Sequence, residues 1–103
     1  MTIKTADKLS VGDVVLHYGM RLVIDQPITV RDDKIGAVYS TRARIANWDE
    51  LVAEAGDDVA SRVGNSVAAF VVNQARAAMH RGQDVEPRWT VQGNHRATYR
   101  IEA

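Results

Sequence analysis

The chain has no cysteine. That excludes disulfides, thiolate zinc sites and a cysteine nucleophile, and it fits a reducing cytosol. It also lacks a charge of one sign. Thirteen basic residues meet thirteen acidic ones, which argues against a strong attractive field for nucleic acid or an anionic membrane. It lacks a long hydrophobic run. The longest, Val67 to Val72, is far short of the ~20 residues of a membrane span, so no membrane association is expected. The first residues, Met1 to Asp7, are too polar for a signal peptide. Aromatic residues are few, and Trp48, Trp89 and Phe70 are expected in the core.

What is present suits a folded chain. It is 46% hydrophobic and 25% charged over 103 residues, which is ordinary for one domain with one core. The closing run, 88–102, alternates apolar and polar residues on both sides of Gly93-Asn94. Period two around Gly-Asn is a hairpin signal. Upstream, Gly12-Asp13 makes a turn that Asp13 can close through its side chain, and it precedes a β-branched strand, Val14 to Tyr18. Gly19-Met20 makes a second tight turn. The next strand, Arg21 to Gln26, is interrupted by Pro27 and can resume at Ile28-Thr29-Val30 beyond the kink. A polar loop, 31–36, leads to a long third strand, 37–46. On it Ala37, Tyr39, Thr41, Ala43 and Ile45 share one face, and Val38, Ser40, Arg42 and Arg44 the other.

The period then changes. Asn47-Trp48-Asp49-Glu50 reads as a capping box, with Leu51, Val52 and Ala55 completing a short helix that Gly56 ends. Asp57 or Asp58 can cap a longer helix. Its apolar positions, among them Val59, Val63, Val67, Phe70, Val71 and Ala75, recur every three or four residues. Gly64 and Asn65 are weak helix formers and can break it. Gly82 stops it. The expected architecture is α+β: a small, SH3-like, five-stranded antiparallel barrel or strongly curved sheet. It spans residues 1–103 as a single domain, with strands over about 13–46, a helical insertion between strands three and four over about 47–82, and a closing hairpin over about 88–102.

Two stretches carry a resemblance. Leu9-Ser10-Val11-Gly12-Asp13-Val14-Val15 followed by Gly19 looks like the entry strand of SH3-like small barrels. Val11 to Leu22, taken with Trp89-Thr90-Val91-Gln92-Gly93-Asn94, is similar to small actinobacteriophage proteins of the mycobacteriophage type. That resemblance implies a phage-encoded protein acting in the host cell cytoplasm. It implies no chemistry and assigns no functional residue.

The residues themselves offer little catalysis. His17, His80 and His95 are far apart and share no metal-ligand spacing. A metal site would need them to converge with Asp13 or Asp25, so no metal is expected. His80 and Arg81 suit the negative end of a helix dipole. The adjacent carboxylates Asp32-Asp33, Asp49-Glu50 and Asp57-Asp58 fall in a loop or at helix starts, where capping and solvation explain them. No serine lies in a G-x-S-x-G context and no glycines form a phosphate loop. No cofactor is expected, and the chain reads as a non-enzyme.

Two surfaces remain. The stretch around Phe70, Val71 and Val72 is apolar nearly all round. It is either covered by the sheet and the Trp48 helix, or it meets a protein partner, a host factor or a second copy in a dimer. The expected partner-binding residues are Phe70, Val71, Val72 and Trp48. The alternative is a nucleic-acid-binding face of Arg42, Arg44, Arg88, Arg96 and Arg100, which share the polar parity of their strands. Asp25, Glu86 and Glu102 can pair with these arginines. The first reading, a non-enzymatic module that occupies a protein partner, is the expectation carried forward.

Overall fold

A computed structural model describes residues 2–34, 36–61 and 64–102. Its strands are β1 (Thr2–Thr5), β2 (Val14–His17), β3 (Met20–Val23), β4 (Thr29–Asp33), β5 (Gly36–Ile45), β6 (Arg88–Gly93) and β7 (Thr98–Ile101). Two α-helices, α1 (Trp48–Ala55) and α2 (Val67–His80), lie between β5 and β6. Single 3₁₀ turns cover Ala6–Lys8 and Gly56–Ala60.

The strands form one antiparallel sheet in the order β1-β7-β2-β3-β5-β4, with β6 also on β5. β5 organises it. Tyr39 and Ser40 pair with β4 on one side and β6 on the other, while Arg44 pairs with β3 and β6. β3 and β4 therefore run along the same edge of β5, as one strand kinked at Pro27. Between the pairs Val23↔Arg44 and Thr29↔Ser40, the β3–β4 side takes two more steps than β5, which is a bulge. Proline has no N–H to give a ladder, so the interruption falls where the sequence places it.

The sheet does not close into a barrel. The expected closing hairpin is not one. β6 pairs with β5, whereas β7 pairs with β1 on one edge and β2 on the other. β7 gives one edge to β1 along its length and the other, at Arg100 and Ile101, to β2, so β6 runs along β5 instead. The turn at 94–97 still forms. The Asn94 side chain accepts from the N–H groups of Arg96 and Ala97 at 2.9 and 3.1 Å. β1, which alternation over four residues does not single out, is the added edge strand.

The β2–β3 connection is a two-residue turn, Tyr18-Gly19, with φ of +51° and +78°. Positive φ at both positions is the type I′ geometry, whose twist matches the flanking strands. Tyrosine is an uncommon residue there. The Asp13 turn closes through its side chain, which accepts from the Ser10 N–H at 3.0 Å and pairs with Lys4 at 3.0 Å. Gly12, at φ +101°, makes the bend.

Asn47 does not form the expected capping box. Its side chain makes no cap bond. It reaches across to the β2–β3 turn, accepting from the Arg21 N–H at 2.8 Å and donating to the Gly19 carbonyl at 2.9 Å. Both backbone groups lie beyond the end of a ladder, and the amide satisfies them together. The long helix also begins later than expected. Ser66, not Asp57 or Asp58, caps α2 by accepting from the Ala69 N–H at 3.0 Å. The break falls at Gly64, where a Cβ would sit 2.4 Å from that of Ala69. Val63 lies outside the described residues.

The two helices cover one face of the sheet. Val15, Met20, Leu22, Ile24, Ala43, Ile45, Val91 and Ile101 meet Leu51, Ala68, Val71, Val72 and Ala75 in one core. Burying each larger aliphatic contributes about 1.5–3 kcal/mol.

Candidate functional site

The apolar all-round stretch of α2 is covered on two sides. Val71 and Val72 have 0% exposure and belong to the core. Trp48 is half-buried and packs against the same core. Val71 and Val72 are therefore packing residues and not partner contacts, because a helix between a sheet and a second helix has little surface left; Trp48 keeps part of its surface. Phe70 is different. It is 52% exposed and lies with Val67, at 55%, and Tyr18, at 61%, around one open groove of about 420 Å³. Val67 and Phe70 share an α2 face at spacing i, i+3, and the positive-φ turn carries Tyr18 to the other wall. On its inner side Phe70 meets Trp89 edge-on, with ring centroids 6.2 Å apart. Trp89 is partly buried against the core, so the outermost aromatic of the patch rests on a fixed one.

A second groove, of about 300 Å³, follows along α2. Ala75 and Ala78 of the helix and Arg81 just past its end form one wall, and Arg88, Trp89 and Thr90 of β6 the other. The two alanines keep the helix wall low. Trp89 touches Phe70 and lines this groove, so it stands between the two surfaces.

The arginines are only partly brought together. Arg44 lies opposite Arg88, and Arg42 opposite Thr90. Arg96 is in the β6–β7 turn and Arg100 is on β7, opposite Leu16 and Ile3. Moreover, the central pair is occupied. Arg88 holds Asp25 through two nitrogens, at 2.8 and 3.1 Å, and also pairs with Glu86. Its Nη1 donates to the Arg42 carbonyl at 2.9 Å, a group that the Pro27 bulge leaves without a ladder partner. The Arg88 side chain is 12% exposed. The hydrogen bond from Arg88 holds the Asp25 carboxyl below its usual range, outweighing partial burial. Arg42 pairs with Asp84 and donates to the Thr90 hydroxyl. This cluster staples the bulge to β6, and each of its two arginines is paired with at least one carboxylate.

The histidines do not converge. His17 ends β2 beside Tyr18, its ring centroid 4.2 Å from that of Tyr18 and 6.2 Å from that of Tyr99. Burial lowers its pKa. His80 ends α2 and His95 lies in the β6–β7 turn, both exposed. Among the described residues no three histidines and carboxylates gather where a metal ion could be held. No helix there is long and apolar enough to cross a membrane.

Sequence reasoning missed Tyr18 and Val67 as surface residues. The i, i+3 spacing of Val67 and Phe70 was visible, but the side of the helix they face depends on where the sheet lies. No family model matches the chain, and no curated protein or solved structure matches it.

Proposed function

We propose that the chain is a non-enzymatic binding module that engages a protein partner through the Tyr18–Val67–Phe70 surface. One observation carries the reading: three large apolar side chains, each more than half exposed, wall a single groove at the start of α2. Clustered exposed apolar surface marks interaction sites, whereas scattered residues do not. Aromatic anchors seated on fixed neighbours commonly dominate such contacts. The occupant is a partner that inserts an apolar side chain between Phe70 and Tyr18.

Two features support a finer reading. The strands β2, β3–β4, β5, β6 and β7 follow each other as in SH3-like small barrels, with the helices inserted between the third and fourth members of that series. The resemblance of Val11–Leu22 and Trp89–Asn94 to actinobacteriophage proteins points to a host or phage protein inside a bacterial cell as the partner. The nucleic-acid alternative has less support, because Arg42 and Arg88 already hold Asp84, Asp25 and Glu86.

The test is affinity capture from actinobacterial lysate, with nuclease and at high salt, comparing the wild type with Phe70→Asp. A protein retained by the wild type and lost with Phe70→Asp, while the variant stays folded by circular dichroism, is the expected result. Nucleic acid recovered at low salt only, or a protein retained equally by both, would overturn it.

A further inference from the structure

Among the described residues β6 pairs with β5 on one edge and with no strand on the other, and its polarity is fixed by a single hydrogen bond. The Ile45 N–H donates to the Pro87 carbonyl at 3.0 Å. Residues 45 and 87 are thus a bonded pair, and by period two so are Ala43–Trp89 and Thr41–Val91. The backbone groups of Arg88, Thr90 and Gln92 therefore point away from β5. The Gln92 carbonyl is taken by the Tyr99 hydroxyl at 2.6 Å. Among the described residues β6 pairs with β5 and no other strand, so the N–H and C=O of Thr90 and the N–H of Gln92 have no ladder partner there. Of these two residues Thr90 lines the groove whose other wall is α2, while Tyr99 sits beside Gln92.

An unpaired strand edge beside a helix is the setting in which an extended peptide adds as a further strand. Main-chain bonds supply affinity there, and side-chain contacts supply selectivity. The groove, of about 300 Å³, leaves the room. Charge selects the occupant. Arg42 and Arg88 are paired, but Arg81, at the mouth of the groove, has no ion pair among the described residues. It is the cation left for an incoming carboxylate. At the other end, past Trp89, lies the apolar Val67–Phe70–Tyr18 groove.

The geometry points to strand addition at the β6 edge: an extended peptide segment pairs with Thr90, sets an acidic side chain or terminal carboxylate against Arg81, and continues with an apolar side chain to Phe70. This rests on the protein-binding reading and gives its partner a conformation and a charge.

The probe is a random-peptide display library selected against the whole chain. Enriched peptides are then titrated into isotope-labelled protein, reading amide exchange and shifts at Thr90, Gln92, Arg81 and Phe70. Proline is tolerated on an edge where the N–H faces outward, so Thr90→Pro removes one outward donor and spares the β5 ladder. Thr90→Val, which loses the hydroxyl that accepts from Arg42 but keeps the N–H, is the control and should leave the Kd unchanged. Enriched sequences carrying an acidic residue, slowed exchange at Thr90 and Gln92, and a Kd raised about tenfold by Thr90→Pro are the expected results. Arg81→Gln, which removes the charge without placing an acid at the end of α2, should abolish the acidic preference. Peptides that perturb Phe70 but leave Thr90 and Gln92 exchanging freely would overturn strand addition and leave the apolar site standing. Failure to enrich any peptide, or enrichment independent of both grooves, would overturn the two together.

Discussion

The Tyr99 hydroxyl donates to the Gln92 carbonyl at 2.6 Å, and by that bond β7 reaches β6 where the sheet ladder does not. The contact is close: a Cβ on Gly93 would lie 2.9 Å from the Tyr99 oxygen and 2.5 Å from the Ala97 Cβ. Burial raises the Tyr99 pKa, which keeps the hydroxyl a donor. Tyr99→Phe should cost about 0.5–1.5 kcal/mol, the usual net value of one hydrogen bond. Gly93→Ala should cost more, about 1–3 kcal/mol, because the neighbours must shift. Urea unfolding of both variants checks the order.

Asn47 separates two roles that its sequence position confounds. As a helix cap it would be replaceable by Ser or Asp at little cost. As the clasp on Gly19 and Arg21 it needs both an acceptor and an N–H donor. Asn47→Ser and Asn47→Asp should therefore each destabilise by about 1–3 kcal/mol. A thermal melt in which Asn47→Asp matches the wild type would restore the capping role.

Arg88 acts through its fork. Lysine cannot bridge Asp25 at two points and also reach the Arg42 carbonyl, so Arg88→Lys should lose about 1–2 kcal/mol although the charge is kept. Arg44→Lys, directly across the ladder, should be nearly neutral. Comparable losses at the two positions would mean that charge, and not the bulge staple, is what matters.

Stability should fall with acid in two stages. His17 has a lowered pKa, so the unfolded chain binds its proton first; stability drops as pH falls below 6.5 and through the lower native value. Asp25 and Asp13 are also depressed. At Asp13 burial pushes upward, but the bonds from Lys4 and Ser10 outweigh it. Their contribution is whole above 3.8 and is lost as pH falls from there through the native values. A denaturation series against pH should show both stages, and His17→Phe should remove only the first. A single stage unaffected by that substitution would contradict the assignment.

Much of this fold was legible in the chain. Alternation marked β2, β3, β5, β6 and β7, Pro27 marked the kink, and Gly64-Asn65 marked the break before α2. Alternation tells that a strand exists and which residues share a face, but not which strand lies beside it, so 88–102 read as a hairpin. Long-range polar pairing was equally hidden. Arg42 meets Asp84 across 42 positions and Arg88 meets Asp25 across 63, and each cancels a charge that looked free. The same limit applied to α2. The helical period was visible, but Val71 and Val72 face the core and Val67 and Phe70 face solvent because of where α1 and the sheet lie.

The central claim is that a protein partner binds at Phe70. A photo-crosslinking side chain placed at position 70, and separately at Val30, tests it most directly in living cells that express the chain. Val30 is as exposed as Phe70 but lies on β4. A discrete protein adduct from position 70 and none from position 30 is the predicted result. No adduct at position 70, or the same adducts from both positions, would contradict it.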